Sequence, residues 1–410
     1  MMNSWKEIKL GNTSIEIIDG DRGKNYPKHY DFLKDGYCLF LNAGNVTSDG
    51  FDFSDCHFIS ADKDQSLRKG RLIREDIIMT TRGTVGNVAY YGDNIPYERL
   101  RINSGMVIFR ADNKEIRSRF LYYLLRSTDF QSQIKLLRSG VAQPQLPIRD
   151  IKTIRVKIPP IEVQDNIISI LAPYDKLLEN NRRRIKLLEE SARLLYKEWF
   201  VRLRFPGYEH TRIIDGVPEG WESCKVRNFG RVITGKTPST KQTDNYGGDI
   251  PFIKTPDMHG NVYVIQTETL LTEKGAETQK GKYLPPESIL VSCIGTIGIV
   301  SLNSEISQFN QQINAVIPYD ESYRYYFYFC FKDLRPLLEA IGGGATMGNV
   351  NKSKFENIDV LKPKTMLLKN FNDFCTPLFR QILRLSFTNH KLQQARDILL
   401  PKLMSGEVRV

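Results

Sequence analysis

The chain is 410 residues long, with 58 Lys and Arg against 47 Asp and Glu, a net charge of +11 and a pI near 9.2. That length exceeds what one hydrophobic core ordinarily absorbs, so two or more domains are expected, and the charge points to a polyanionic partner or else to a merely basic protein. No apolar run reaches the roughly 20 residues that span a bilayer, Met1 to Leu10 lacks a secretory pattern, and six cysteines without a Cys-x-x-Cys pair fit a reducing cytoplasm rather than a zinc ribbon.

In chain order, Trp5 to Leu10 reads as a short strand and is echoed by Trp221 to Val226. Tyr37 to Leu41 and Asp249 to Ile253 are buried-strand candidates, rich in branched and aromatic residues. Each runs into a polar turn, Asn42 to Asn45 in one copy and Lys254 to Asp257 in the other. The clearest echo is Leu72 to Val88 against Leu284 to Val300, aligned without a gap as strand, Gly-Thr-x-Gly turn and strand. Glycine is required there because the turn needs positive φ or close backbone approach. The bland reading is a hairpin; its free N–H groups and threonine hydroxyl can also hold a phosphate.

Ile102 to Phe109 pairs with Gln311 to Ile317 as another strand, and Arg119 to Phe130 pairs with Tyr323 to Leu334 as a helix dense in aromatics. That stripe reads as core rather than as a base-stacking platform. Two glycine-led polar loops follow, Ser139 to Leu146 and Gly343 to Val350, and then strands ending at Pro159 and Pro363. Each half closes on a long helix. Leu171, Tyr174, Leu178, Asn181, Ile185, Leu188, Ala192, Leu195 and Trp199 recur at steps of three and four, the seam of a helix packed along another. The same seam returns 204 positions later as Cys375, Leu378, Ile382, Leu385, Asn389, Leu392, Arg396, Leu399 and Leu403. A repeat of this length means two copies of a structural unit.

Several details follow as expectations. Pro173 and Pro377 should end a short helix and start the long one. Arg182, Arg183, Arg184, Lys186, Glu189 and Glu190 should face away from the seam, the arginines as a solvated face or a track for a DNA backbone. Asn181 and Asn389 either fix the register of the seam or sit at its wet edge. Phe205 to Gly220 is a turn-rich linker. The order of unit, helix, unit, helix is that of an antiparallel rod carrying a globular unit at each end.

Enzyme signatures are missing. Gly230 to Thr237 matches G-x-x-x-x-G-K-T, but Pro238 to Gly248 after it is no helix, and the residues before it make a poor central strand, so a nucleotide loop is rejected. There is no Asn-Pro-Pro-aromatic tetrad, no dinucleotide glycine fingerprint, no Gly-x-Ser-x-Gly elbow and no His-Glu-x-x-His helix. The histidines are dispersed, so no metal cluster is visible. A stand-alone nuclease or methyltransferase, and an adaptor that binds proteins without DNA, are the alternative readings.

The helix openings, such as Pro159 to Ile167, the closing Leu195 to Phe200, the joining stretch Trp199 to Trp221 and the terminal Leu399 to Glu407 together resemble the specificity subunit of type I restriction-modification systems. The resemblance covers the whole chain. It implies an α+β fold: two pseudo-repeated α/β target recognition domains separated by two long antiparallel helices forming a coiled coil. The boundaries are 1–159 and 221–362 for the recognition domains, 160–204 and 363–410 for the helical regions and 205–220 for the linker. It implies a non-catalytic cytoplasmic subunit that binds a bipartite, asymmetric double-stranded DNA target, with half-sites separated by a fixed unread run, and that touches no membrane. Two methyltransferase subunits and two restriction or motor subunits would assemble on it, with S-adenosylmethionine, ATP and Mg2+ on those partners and no cofactor or metal on this chain. The scaffold for them would be the helix residues of the two seams. The candidate DNA contacts are Asn42, Asn45, Arg82, Gly83, Thr84, Ser139, Gln143 and Gln145 in the first half. In the second half they are Lys254, Thr255, Thr296, Thr346 and Asn349. Asn and Gln can pair bidentately with adenine, and Arg with guanine.

Overall fold

Two helices, Ile161–Tyr196 and Thr365–Ser405, run through both halves of the computed structural model, which describes residues 5–140, 144–343 and 348–410. The first continues as a π-turn over Lys197–Val201. At 1.5 Å per residue their axes are about 54 and about 61 Å long. Every seam position named above is buried or half-buried. The chain divides into two compact units, residues 1–176 with 393–410 and residues 177–392, so each unit contains a piece of both helices.

Pro173 and Pro377 do not start the long helices; both lie inside them. A proline in a helix interior removes one ladder bond and costs about 3 kcal/mol. Burial of Leu171 and Leu178 on either side of one proline, and of Cys375 and Phe379 around the other, holds the helical path against that cost.

In the first unit a four-stranded sheet is formed by Glu16–Asp19, Met106–Arg110, Ile77–Thr80 and Val88–Tyr90, in that spatial order and antiparallel throughout. A second sheet has Cys38–Leu41 at its centre, antiparallel to Phe58–Ile59 and parallel to Leu100–Ile102. Ile102 to Phe109 is therefore two strands in two sheets, broken by a turn at residues 103–105. Helices Ser118–Arg126 and Thr128–Leu137 cover the larger sheet, and Phe120, Leu121, Tyr122, Tyr123, Leu124 and Leu125 are buried core. The two pieces of the long helices are antiparallel here. Val163, Ile167 and Leu171 share a core with Leu400, Leu403 and Met404. Asp175 accepts from Tyr123 at 2.8 Å, Arg119 at 3.3 Å and Arg396 at 3.1 Å.

The second unit repeats the topology. Its larger sheet runs Gly230–Thr234, Ile313–Pro318, Ile289–Ser292, Val300–Asn303 and Tyr263–Val264, and its smaller sheet centres on Tyr246–Ile253. Helix Arg324–Asp333 buries Tyr325 through Phe331, again as core. The helix pieces are antiparallel in this unit too: Tyr196 and Phe200 pack on Phe371, and Asn181 donates to Asn389 at 2.9 Å with both side chains buried. Glu189 does not face away as its flank position suggested. It accepts from Tyr328 at 2.7 Å and pairs with Lys332, pinning the aromatic helix to the long one. The stretch expected as a linker is partly folded: Phe205 packs on Trp221 at 5.4 Å between ring centroids, and Ile213–Ile214 pairs with Val217–Pro218.

Candidate nucleic-acid interface

The Gly-Thr-x-Gly turn is built the same way twice. In the first unit the Thr80 hydroxyl donates to the Thr84 carbonyl and accepts from Asn87 N at 3.0 Å. In the second, the Ser292 hydroxyl donates to the Thr296 carbonyl at 2.6 Å and accepts from Ile299 N at 2.9 Å. Gly83 and Gly295 take φ of 72° and 75°, and Gly86 and Gly298 take 99° and 84°. These are left-handed values that a side chain resists. Glu75 and Glu287, at matching places before the hairpin, also have positive φ, 73° and 63°.

Main-chain hydrogen bonds tie two further segments to each hairpin and a third segment to one of those two. Thr81 N donates to Gly105 O and Cys293 N to Gln312 O, both at 2.7 Å. Leu146 N donates to Thr81 O and Val350 N to Cys293 O, both at 2.9 Å. Asn103 N donates to Leu41 O at 3.1 Å and Asn310 N to Ile253 O at 3.0 Å. The four parts are the hairpin, the turn at 103–105 or 310–312, the glycine-led loop, and the end of the smaller sheet's central strand. In each unit they come together as one rim.

The three stretches singled out in each half of the sequence thus lie side by side. Arg82, Gly83 and Thr84 are exposed beside Gln145, and Gly83 N donates to Pro144 O at 3.2 Å. Ser139 and Gln145 exchange main-chain hydrogen bonds at 3.0 and 2.8 Å. Thr296 and Asn349 are exposed, and Asn349 bridges to Ile294. Gln143 and Thr346 lie outside the described residues. Two candidates are turned inward. Asn45 is 2% exposed and its amide donates to Asp52 O at 2.9 Å and Asp55 O at 2.8 Å, closing the loop beneath the rim. Thr255 is 6% exposed and points at Gln312. Asn42 and Lys254 occupy equivalent caps: their N–H groups donate to the side chains of Asn45 at 2.9 Å and Asp257 at 2.7 Å.

The sequence reading missed the turn between the two sheets. Asn103 and Asn310 cap it alike, accepting from Gly105 N at 2.8 Å and Gln312 N at 3.1 Å. A Cβ on Gly20 or Gly235 would come within 2.2 or 2.1 Å of the Asn103 or Asn310 carbonyl, which explains a glycine at both places. Gly235 is the second glycine of the phosphate-loop lookalike. The first six residues of that motif are sheet strand and its last glycine, Thr237 donates to Gln311, and no helix follows.

The second rim carries a cluster of lysines. Burial holds Lys282 below the usual lysine range, and the charges of Lys352 and Lys236 push the same way. Lys352 has Glu356 at 3.7 Å. Three like charges near an exposed polar rim make the local potential positive. Among the described residues no group of His, Cys, Asp and Glu could hold a metal ion, and no helix is long and apolar enough to cross a membrane.

The family model described as the type I restriction modification DNA specificity domain matches this chain at residues 2–190 and again at 218–365. The chain is 28% identical to the HindI specificity subunit of Haemophilus influenzae, over 99% of this chain and all of that one. It is 27% identical to the MjaIX specificity subunit of Methanocaldococcus jannaschii, over 82% and 78% of the two chains. Its fold resembles the crystal structure of the type I restriction-modification S subunit from M. genitalium, with a TM-score of 0.55 and 16% identity over 98% and 96% of the chains.

Proposed function

We propose, for a chain that belongs to the DNA specificity subunits of type I restriction-modification systems, that each of its two units reads one half of a split, asymmetric DNA target. A subunit of this family is not itself an enzyme; it gives the complex its sequence specificity. The single observation that carries the two-reader proposal is the doubled rim. The same four segments meet through the same main-chain bonds in both units, while the exposed side chains differ. Main-chain constancy with side-chain difference is what two readers of unlike half-sites require.

The finer assignments are part of the same proposal. The two long helices carry two methyltransferase and two restriction or motor subunits, and those partners hold S-adenosylmethionine, ATP and Mg2+. The complex works in the cytoplasm and modifies an adenine in each half-site. Methylome sequencing with and without the gene tests this. Loss of one split, adenine-methylated sequence is expected; an unchanged methylome refutes it.

A further inference from the structure

The rims coincide so closely that their differences can be assigned position by position. Because Thr81 and Cys293 donate to Gly105 and Gln312 in the same way, Gly105 and Gln312 are equivalent, and so are the next hairpin residues, Arg82 and Ile294. The long polar side chain has therefore moved from the hairpin in one unit to the facing turn in the other.

In the first unit Arg82 is exposed and its stem lies across Gly105. A Cβ on that glycine would meet Arg82 Cβ at 3.6 Å and Cδ at 4.0 Å. A side chain at 105 would lie in ordinary van der Waals contact with the arginine, and the guanidinium has no hydrogen-bond partner among the described residues. In the second unit Ile294 supplies no polar group, and the turn supplies Gln311 and Gln312. The Gln312 side-chain oxygen accepts from Asn310 at 3.0 Å and from Thr255 at 3.4 Å, so both lone pairs are occupied and the residue acts as a brace. Gln311 is exposed, and its oxygen accepts one bond, from Thr237. One lone pair and the amide N–H groups remain for a ligand. Its counterpart in the first unit is the short Ser104.

We infer that the second unit reads an adenine through Gln311, oriented by Thr237 and braced by Gln312, and that the first unit reads a guanine through Arg82. The inference rests on the two-reader proposal. An amide with one acceptor and one donor matches adenine N6 and N7, and two guanidinium N–H groups match guanine O6 and N7. Lys236, next to Thr237, stands where it can hold the phosphate beside the adenine. The glycine-lysine-threonine run that imitates a nucleotide loop then serves a nucleic acid instead.

The test is selection of sequences from a randomised duplex pool by the full-length chain, wild type against Gln311→Glu and Arg82→Gln. Both side chains are exposed and neither makes a bond of the main-chain frame. Glu accepts from cytosine N4. Gln311→Glu is expected to convert one adenine position of one half-site to cytosine, with the preference there shifting about 10- to 100-fold. Arg82→Gln is expected to remove one guanine preference from the other half-site. A wild-type chain that enriches no split sequence refutes the two-reader proposal itself. If the wild type enriches two half-sites but Gln311→Glu leaves every preference in place, or both variants alter the same half-site, the residue assignment is wrong and the two readers stand.

Discussion

Replacing Lys236, Lys282 and Lys352 together by Gln should weaken DNA binding in a way that salt titration isolates. Each lysine that neutralises a phosphate steepens the slope of log K against log salt by about 0.9. Three such contacts amount to about 2.7; if Lys352 keeps Glu356 as its partner, at 3.7 Å, two contacts leave about 1.8. Between 50 and 200 mM salt the wild type should then lose about 12- to 40-fold more affinity than the triple variant. At 150 mM the variant should bind about 30- to 160-fold more weakly. Fluorescence anisotropy on a labelled duplex carrying the selected sequence measures both quantities. Lys280→Gln is the control, because Lys280 is neutralised by its pair with Glu277, and it should leave the slope unchanged. A triple variant whose slope equals that of the wild type would refute the assignment of these lysines to the DNA backbone.

The same cluster sets a pH signature on the free protein. The folded pKa of Lys282 is depressed, so the protonated side chain destabilises the fold fully below that pKa, and the penalty fades as pH rises towards the ordinary lysine range. Lys282→Gln should raise Tm at neutral pH, and calorimetry in alkaline buffer should find the gain gone. Asp175→Ala removes the carboxylate that Tyr123, Arg119 and Arg396 share, leaves Arg396 paired with Asp397 alone, and should cost about 1–3 kcal/mol in the denaturant transition of the first unit. Asn181→Leu leaves the buried Asn389 amide without its partner at a cost of about 1–3 kcal/mol, and Asn181→Leu with Asn389→Leu should regain it in thermal unfolding. Burial pushes the Cys38 and Cys330 thiols up to about 12 and Cys293 to about 11, so native alkylation read by mass spectrometry should modify Cys56 and Cys224 first.

Periodicity and internal repetition carry the large features. The seam residues, the aromatic helix as core and the glycine hairpin all follow from side-chain pattern and from the limited conformations open to residues with a Cβ. What was illegible has physical reasons. Asn103 sits inside Ile102 to Phe109, which reads as a single strand, and Asn310 directly precedes Gln311 to Ile317, which reads as its partner; only the hydrogen bonding to another sheet shows a turn at both places. The signal that could have exposed them was the same asparagine in both copies. Asn45 and Thr255 look like loop readers because composition does not say which way a polar side chain turns. The lysine cluster joins residues distant in sequence, and no local pattern marks it. Pro173 and Pro377 were misread because local propensity was weighed without the burial on either side.

The bonds that join one segment of each rim to the next, Thr81 to Gly105 and Cys293 to Gln312 among them, run from peptide to peptide. A clasp made of main chain is indifferent to which side chains project from it. New sequence preferences can therefore arise by substitution at the edge, without renegotiating the architecture beneath. The two halves of this chain already carry different side chains on the same clasp.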